Sequence, residues 1–269
     1  MPADRPSTTP AIVSNQPIAN TDGDSSSPPA PTPSGPRPPD HRARVAAMFG
    51  RIARRYDLMN TVMTGGQDAL WRRLAVRAAQ PPRSGRALDV GTGTGRLALA
   101  LARAMPNGRV VGVDVAEGML REGRAGALRG PAGARVDLAL ADAQALPFPD
   151  ASFDCATTAF VIRNVADVGA AFAEIRRVVR PGGRVVCLEL TQNRLPLWGF
   201  LFGLYFGRIV PLVGRLLAGD AGAYSYLPQS VAAFLSPAQL AAAMARAGLR
   251  EVRWRRLGFG TVTLHVGRA

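Results

Sequence analysis

Three glycines alternate with threonines in LDVGTGTGR, where Gly91, Gly93 and Gly95 separate an apolar run from a helix-like one. Glycine lets the backbone come close to a ligand, and the start of a helix offers that ligand unpaired N–H groups. Acids recur where successive apolar runs end: Asp89 in LDVG, Asp114 in RVVGVD and Asp142 in ALADAQ. At the end of the second run, Asp114 is placed to accept hydrogen bonds from a ribose diol. These residues together suggest a site for a nucleoside-containing cofactor. Gly93-Thr94-Gly95-Arg96-Leu97-Ala98 also fits the G-x-G-x-x-A dinucleotide fingerprint, which keeps a nicotinamide-dependent oxidoreductase open. Two acids favour S-adenosylmethionine instead. Asp89 is placed to pair with a methionine ammonium, and Asp142 stands where an adenine edge would be read.

A second group with chemical capacity is FVIRNVAD, residues 160–167. Arg163 and Asn164 follow an apolar run directly, and a desolvated arginine is costly unless it has a partner or a task. One reading is structural, a strand-end cap with an ion pair to Asp167. The other places the guanidinium beside a reacting group. The chain contains only two histidines, His41 and His265, and two cysteines, Cys155 and Cys187, both in apolar runs. No Cys/His spacing suits zinc, no metal is expected, and the cysteines read as buried free thiols of a reducing compartment.

These residues need strands and helices to position them. RALDVG (86–91), RVVGVDV (109–115), RVDLALAD (135–142), SFDCATTAFV (152–161) and RVVCLEL (184–190) read as strands. RLALALARAM (96–105), AEGMLREGRAGAL (116–128) and VGAAFAEIRRVVR (168–180) read as the helices between them. Such alternation predicts a doubly wound, mostly parallel α/β sheet with helices on both faces. LREVRWRRLGFGTVTLHVG (249–267) predicts an antiparallel hairpin at one edge, completing seven strands. Residues 43–79 are expected to be helical, and SPAQLAAAMARAG (236–248) reads as the last helix.

Composition separates residues 1–40 from the rest. They hold 11 of the 22 prolines, with many serines and threonines and no apolar periodicity, so they are expected to be a disordered tail without the pattern of a secretory signal. The remaining 229 residues form one expected domain. The formal charge of +14 comes from arginine alone, because the chain has no lysine. In residues 1–40 four aspartates outnumber Arg5 and Arg37, so the positive excess lies wholly in residues 41–269. That excess suits an anionic membrane surface. Nucleic acid is disfavoured, because aromatics are not interleaved with the arginines as base stacking requires. LPLWGFLFGLYFG (195–207), uncharged over 13 residues, is too short and interrupted to span a bilayer. Residues 195–235 are expected to form an apolar helical insertion, a lid for a lipid-like substrate in which Phe202 and Phe206 would line a tail pocket, or else a buried or dimer-forming element.

The chain resembles the quinone-biosynthesis C-methyltransferases, the demethylmenaquinone and 2-polyprenyl-benzoquinol methyltransferase family, over about residues 45–269. The resemblance is carried by FGRIARRYDLMNTVMTGGQDALWRR (49–73), LDVGTGTG (88–95), ALPFPDASFDCATTAFVIRNVAD (145–167), RVVRPGGRVVCLEL (177–190) and YSYLPQSVAAF (224–234). It implies a class I S-adenosylmethionine-dependent fold, Rossmann-like, and methylation of a ring carbon on a prenylated quinol. The menaquinone branch, demethylmenaquinol to menaquinol, is the leading expectation. The ubiquinone branch and another small aromatic or lipid acceptor are the alternatives. Carried over by position, cofactor contacts fall on Thr94, Asp114, Asp142, Ala143 and Ala159, beside Asp89 and the glycines. Arg163 is implied to stabilise a developing phenolate or orient a water, Asn164 to fix that geometry, and Tyr56 to close the site. The chain departs from the family at Ala159 (usually serine), Asp68 (usually histidine) and Thr92. A cytoplasmic protein is expected, in transient contact with the membrane surface and with the capacity to form a homodimer.

Overall fold

The computed structural model describes residues 41–192 and 221–269; the expected tail (1–40) and most of the expected insertion, including Phe202 and Phe206, lie outside the described residues. Continuous apolar runs bury both faces of a strand, which is the signature of a parallel sheet covered on both sides. β1 (Arg86–Val90) and β2 (Arg109–Asp114) follow that rule, each exposed only at its first arginine and otherwise buried or nearly so. With β3 (Val136–Leu140), β4 (Phe153–Ala159) and β5 (Val179–Leu190) they form the parallel part of a seven-stranded sheet of order β3-β2-β1-β4-β5-β7-β6. Strand order reverses between β1 and β4, so a crevice opens beyond their carboxyl ends.

Two helical layers cover the sheet. α2 (Gln67–Ala79) and α3 (Arg96–Ala104) bury Trp71, Ala75, Leu97 and Leu101 against Val110, Val186 and Leu264 on one face. On the other, α5 (Val168–Val178) and α7 (Pro237–Arg246) bury Phe172, Ile175, Leu240 and Met244 against Leu88 and Phe153. Local chemistry sets their starts. Asp167 caps α5 by accepting from the Ala170 N–H at 3.0 Å. Ser236 and Gln239 form a reciprocal capping box on α7, whose first residue is proline. α4 (Glu117–Ala125) follows β2, and α6 (Ala221–Ala232) precedes α7.

The expected doubly wound sheet is present, with three adjustments. Residues 43–79 form two helices, α1 (His41–Met63) and α2, separated by a turn at Thr64–Gly66. The C-terminal hairpin, β6 (Arg250–Leu257) and β7 (Val262–Arg268), does not sit wholly at the edge, because β7 pairs antiparallel with β5 and lies inside the sheet. Its run VTLHVG is buried throughout and fits an interior strand. β6 carries Arg250, Arg253, Arg255 and Arg256 and forms the edge, where charge discourages further pairing. Finally, β4 ends at Ala159 rather than 161, because Phe160 takes a φ of 61° that no strand continues through.

Cys155 and Cys187 are buried free thiols, as expected. Burial pushes the Cys155 thiol up to about 12 and Cys187 well above its ordinary value, so neither is a ready thiolate.

Candidate functional site: two cavities divided by Phe160

The glycine loop leaves β1 at the switch point. Gly91 has a φ of 66°, and a Cβ there would run into the Val161 side chain, so the loop approaches the β4 end as only glycine permits. Below the loop, Asp89 is 1% exposed and accepts from the hydroxyls of Thr157 (2.7 Å) and Thr92 (2.8 Å). Burial raises its carboxyl to about 6 although both hydroxyls pull it down. Asp89 therefore braces the loop from inside, and the unusual Thr92 is the residue that binds it. Asp114 accepts from the N–H groups of Gly93 and Ala116, each at 2.8 Å, which fixes its carboxylate while leaving further lone pairs on each oxygen. Burial raises its pKa as well.

Helix α1 crosses above this crevice. It packs on α4 where a Cβ on Gly118 would stand 3.1 Å from Gly50, so two glycines permit the close crossing. Three of its polar residues tie it down. Asp57 accepts from the Thr94 hydroxyl at 2.8 Å and pairs with Arg96 at 2.8 Å. Arg42 reaches Asp142 at 3.2 Å, and His41 Nε2 donates to the Asn164 carbonyl at 3.0 Å.

The resulting cleft is partly open to solvent, with about 740 Å³ of empty space between its walls and mouth. Gly91, Gly93, Asp114, Asp142, Ala143, Ala159, Asn164 and Tyr56 all line it. Among the predicted cofactor residues Asp89, Thr94 and Gly95 are not in that lining, and the predicted Arg163 lines the neighbouring cavity instead. Asp89 lies beneath the loop, and the Thr94 hydroxyl turns to Asp57. The donor set fits a nucleoside: carboxylates at Asp114 and Asp142 for ribose and base, with Val115, Met119 and Ala143 as apolar walls.

A second cavity of about 800 Å³ adjoins the first and shares Phe49, Tyr56 and Phe160 as walls. Met48, Ile52, Met59, Met63, Leu190 and Leu227 make it largely apolar, while Arg163, Arg72, Asp68 and Asn60 supply polar groups. Phe160 holds the dividing position at a φ of 61°, which is rare and costly for a bulky residue. Its N–H donates to the Leu188 carbonyl at 2.8 Å. Its own carbonyl accepts from Arg163 Nη1 at 2.6 Å and, more weakly, from Asn164 Nδ2 at 3.4 Å. Its ring meets Trp71 edge-on at 6.3 Å.

Arg163 does not pair with Asp167, the partner the structural reading assigned, because Asp167 is engaged as the α5 cap. Its partner is Glu189 on β5, at 2.7 Å through Nη1, and the same carboxylate accepts the Arg163 N–H at 3.2 Å. Asn164 accepts from the Tyr226 hydroxyl at 3.0 Å, which joins α6 to the site. Tyr56 lies well inside α1, with its ring edge-on to Phe49 at 5.8 Å. Burial raises its phenol pKa, while a hydrogen bond with Asn60 and the charges of Arg163 and Arg72 pull the other way. Sequence reasoning missed Glu189, Asp57 and the role of Phe160. A lone acid in the apolar run RVVCLEL was the available signal for Glu189, since a buried carboxylate requires a cation.

The comparisons with known proteins agree with this geometry. The model of the ubiE/COQ5 methyltransferase family matches residues 39–269. A demethylmenaquinone methyltransferase from Roseiflexus castenholzii is 49% identical over 231 residues, covering 86% of this chain and 95% of that protein. One of the same name from Thermus thermophilus is 46% identical, covering 82% and 99%. A ubiquinone/menaquinone biosynthesis C-methyltransferase from Geobacter sulfurreducens is 42% identical, covering 83% and 88%. Among solved structures, a SAM-dependent methyltransferase from Thermotoga maritima superposes with a TM-score of 0.58 at 20% identity, covering 82% of this chain and 98% of that one, which shows the shared fold. A match over this much of the chain, on a site built at the sheet's switch point, establishes membership: the chain belongs to the ubiE/COQ5 methyltransferase family.

Proposed function

We propose that the protein is an S-adenosylmethionine-dependent C-methyltransferase that methylates a ring carbon of a prenylated quinol, converting demethylmenaquinol to menaquinol. The observation that carries this reading is the pair of cavities meeting at Phe49, Tyr56 and Phe160, one with nucleoside-binding groups and the other apolar with a buried arginine. Relatives at 46–49% identity bear the demethylmenaquinone name, which favours the menaquinone branch. When bound, S-adenosylmethionine supplies an electrophilic methyl group on a sulfonium. Asp114 and Asp142 hold its ribose and base, and the glycine loop lets the backbone lie against it. Across the aromatic divide, Arg163 stabilises negative charge developing on a ring oxygen. A guanidinium is a poor proton acceptor, so its role is to stabilise charge and not to remove the proton. Asn164, tied to Tyr226 and to the His41 contact, holds the Arg163 turn in place. Phe49, Tyr56 and Phe160 exclude water from the meeting point.

The prenyl tail would leave along the methionine- and leucine-lined side of the second cavity. Leu58, Val62 and Leu70, on the α1–α2 arm that walls this cavity, are 56%, 44% and 52% exposed and offer an apolar face to a bilayer. Among the described residues no helix is long and apolar enough to cross a membrane. The test is incubation of the full chain with methyl-labelled S-adenosylmethionine and reduced demethylmenaquinone of short tail, with a benzoquinol in parallel. Label in menaquinol supports the proposal. Label only in the benzoquinol moves the enzyme to the ubiquinone branch, and label in neither overturns the quinol reading.

A further inference from the structure

The second cavity contains two arginine–carboxylate pairs, and their carboxylates differ in what remains free. Glu189 is fully buried and saturated: it receives Arg163 Nη1 at 2.7 Å, the Leu190 N–H at 2.9 Å and the Arg163 N–H at 3.2 Å, and it does not line the cavity. Asp68 lines the cavity, with its side chain 4% exposed. Its Oδ2 lies 2.7 Å from Arg72 Nη1 as an ion pair, but without hydrogen-bond geometry, so this oxygen is buried with no hydrogen-bond donor among the described residues. Among the described residues, Oδ1 meets only the Thr64 hydroxyl, at 3.4 Å, and that hydroxyl lies nearer the Asn60 carbonyl, at 2.8 Å. A hydroxyl has one proton, and the shorter contact takes it. Asp68 is thus a buried acceptor with unused capacity on both oxygens, facing a cavity whose other polar lining is Asn60, Thr64, Arg72 and Arg163 and whose remaining walls are methionine, isoleucine, leucine and aromatic side chains. A group of that kind is costly to bury unless a donor reaches it.

We infer that Asp68, held by Arg72, accepts a hydrogen bond from a ring hydroxyl of the acceptor and so selects the reduced diol over the oxidised dione. The inference rests on the second cavity being the acceptor site. A hydroquinone oxygen carries a proton to donate, whereas a quinone oxygen offers only lone pairs, which a carboxylate repels. Arginine donors at Arg72 and Arg163 serve either oxidation state, so the discrimination falls to the carboxylate alone. Selection of the diol also suits the chemistry, because only the electron-rich ring offers a carbon nucleophile to an electrophilic methyl.

The experiment measures binding without turnover. The full chain, saturated with S-adenosylhomocysteine, is titrated anaerobically by calorimetry with a singly prenylated 1,4-dihydroxynaphthalene and, separately, with its 1,4-dione. The wild type should prefer the diol by about 10-fold or more, the range of a hydrogen bond to a charged group. Asp68→Asn presents an amide that can donate to the dione, and the preference should fall towards unity mainly through tighter dione binding. Asp68→Glu keeps the charged acceptor and should keep the preference. S-adenosylhomocysteine affinity and melting temperature report whether each variant is folded. A diol preference unchanged in a folded Asp68→Asn variant overturns the role of Asp68 and leaves the acceptor site standing. Binding of neither form to the wild type overturns both.

Discussion

Glu189→Gln tests the site at its most buried point. Arg163 is 4% exposed and Glu189 fully buried, and the glutamate accepts three N–H groups. Glutamine keeps one acceptor oxygen but turns an NH2 group towards a backbone N–H, and it leaves the guanidinium without a counter-charge. Removing one partner of a buried pair costs about 3–5 kcal/mol. For a domain of this size each kcal/mol moves the melting temperature by about 2–4 °C, so the variant should melt on the order of 10 °C lower. Urea unfolding gives the free energy directly. A second variant, Arg163→Met with Glu189→Leu, removes both charges and should recover the part of the loss that comes from the uncompensated guanidinium, but not the part from the Arg163 and Leu190 N–H groups, which lose their acceptor. Methyl transfer should not recover with it, and should stay down by about 10²-fold or more, the usual effect of losing a charge-stabilising donor. If the double variant turns over like the wild type, Arg163 has no part in the chemistry and only props up the Phe160 turn. If Glu189→Gln melts within a degree of the wild type, the ion pair is not what holds the arginine.

Three further outcomes follow from particular contacts. At Phe160 the left-handed backbone should make Phe160→Gly more stable than Phe160→Ala by about 1 kcal/mol in urea unfolding, the reverse of the usual order; an alanine variant of equal or greater stability would show that the strain is not real. Asp57→Asn weakens the anchor that α1 places on Thr94, and calorimetry should show S-adenosylhomocysteine binding about 5–10-fold more weakly. The exposed Arg96 half of that anchor adds little, so unchanged affinity would mean that α1 does not support the loop. His265 is buried, hydrogen-bonded through Nε2 to the Pro237 carbonyl at 2.9 Å, and pushed down by burial to about 4. A folded pKa below the ordinary 6.5 means that the unfolded chain takes up the proton first. Stability from this residue is therefore complete above pH 6.5 and is lost as pH falls towards 4. Between pH 7 and 4.5 the loss should be about 2 kcal/mol, and in His265→Gln that part of the pH dependence should vanish.

The legibility of this protein divides along a physical line. Strand–helix alternation, the glycine loop and the acids after it are local patterns, set by periodicity and by what glycine and aspartate do at a strand end. The parallel sheet and the first cleft could therefore be read directly. What escaped depends on which residues the fold brings together across distance. Asp89 was expected at the cofactor, but Thr157 stands opposite it in register on β4 and takes its carboxylate. Thr94 was expected there too, but Asp57, 37 residues earlier, claims its hydroxyl. Arg163 was offered Asp167 as a neighbour in sequence, and Glu189 won because β5 lies beside β4 and delivers a carboxylate to the turn that follows it. In each case a polar group took a partner that tertiary pairing placed beside it, and for Arg163 the neighbour in sequence, Asp167, was free to cap α5. Asp68 extends that logic. It first appears as a departure from a family pattern, with no role attached. Its place beside Arg72 in a largely apolar cavity, with both oxygens short of a donor, gives the departure a physical consequence: the missing donor must come from what the cavity binds.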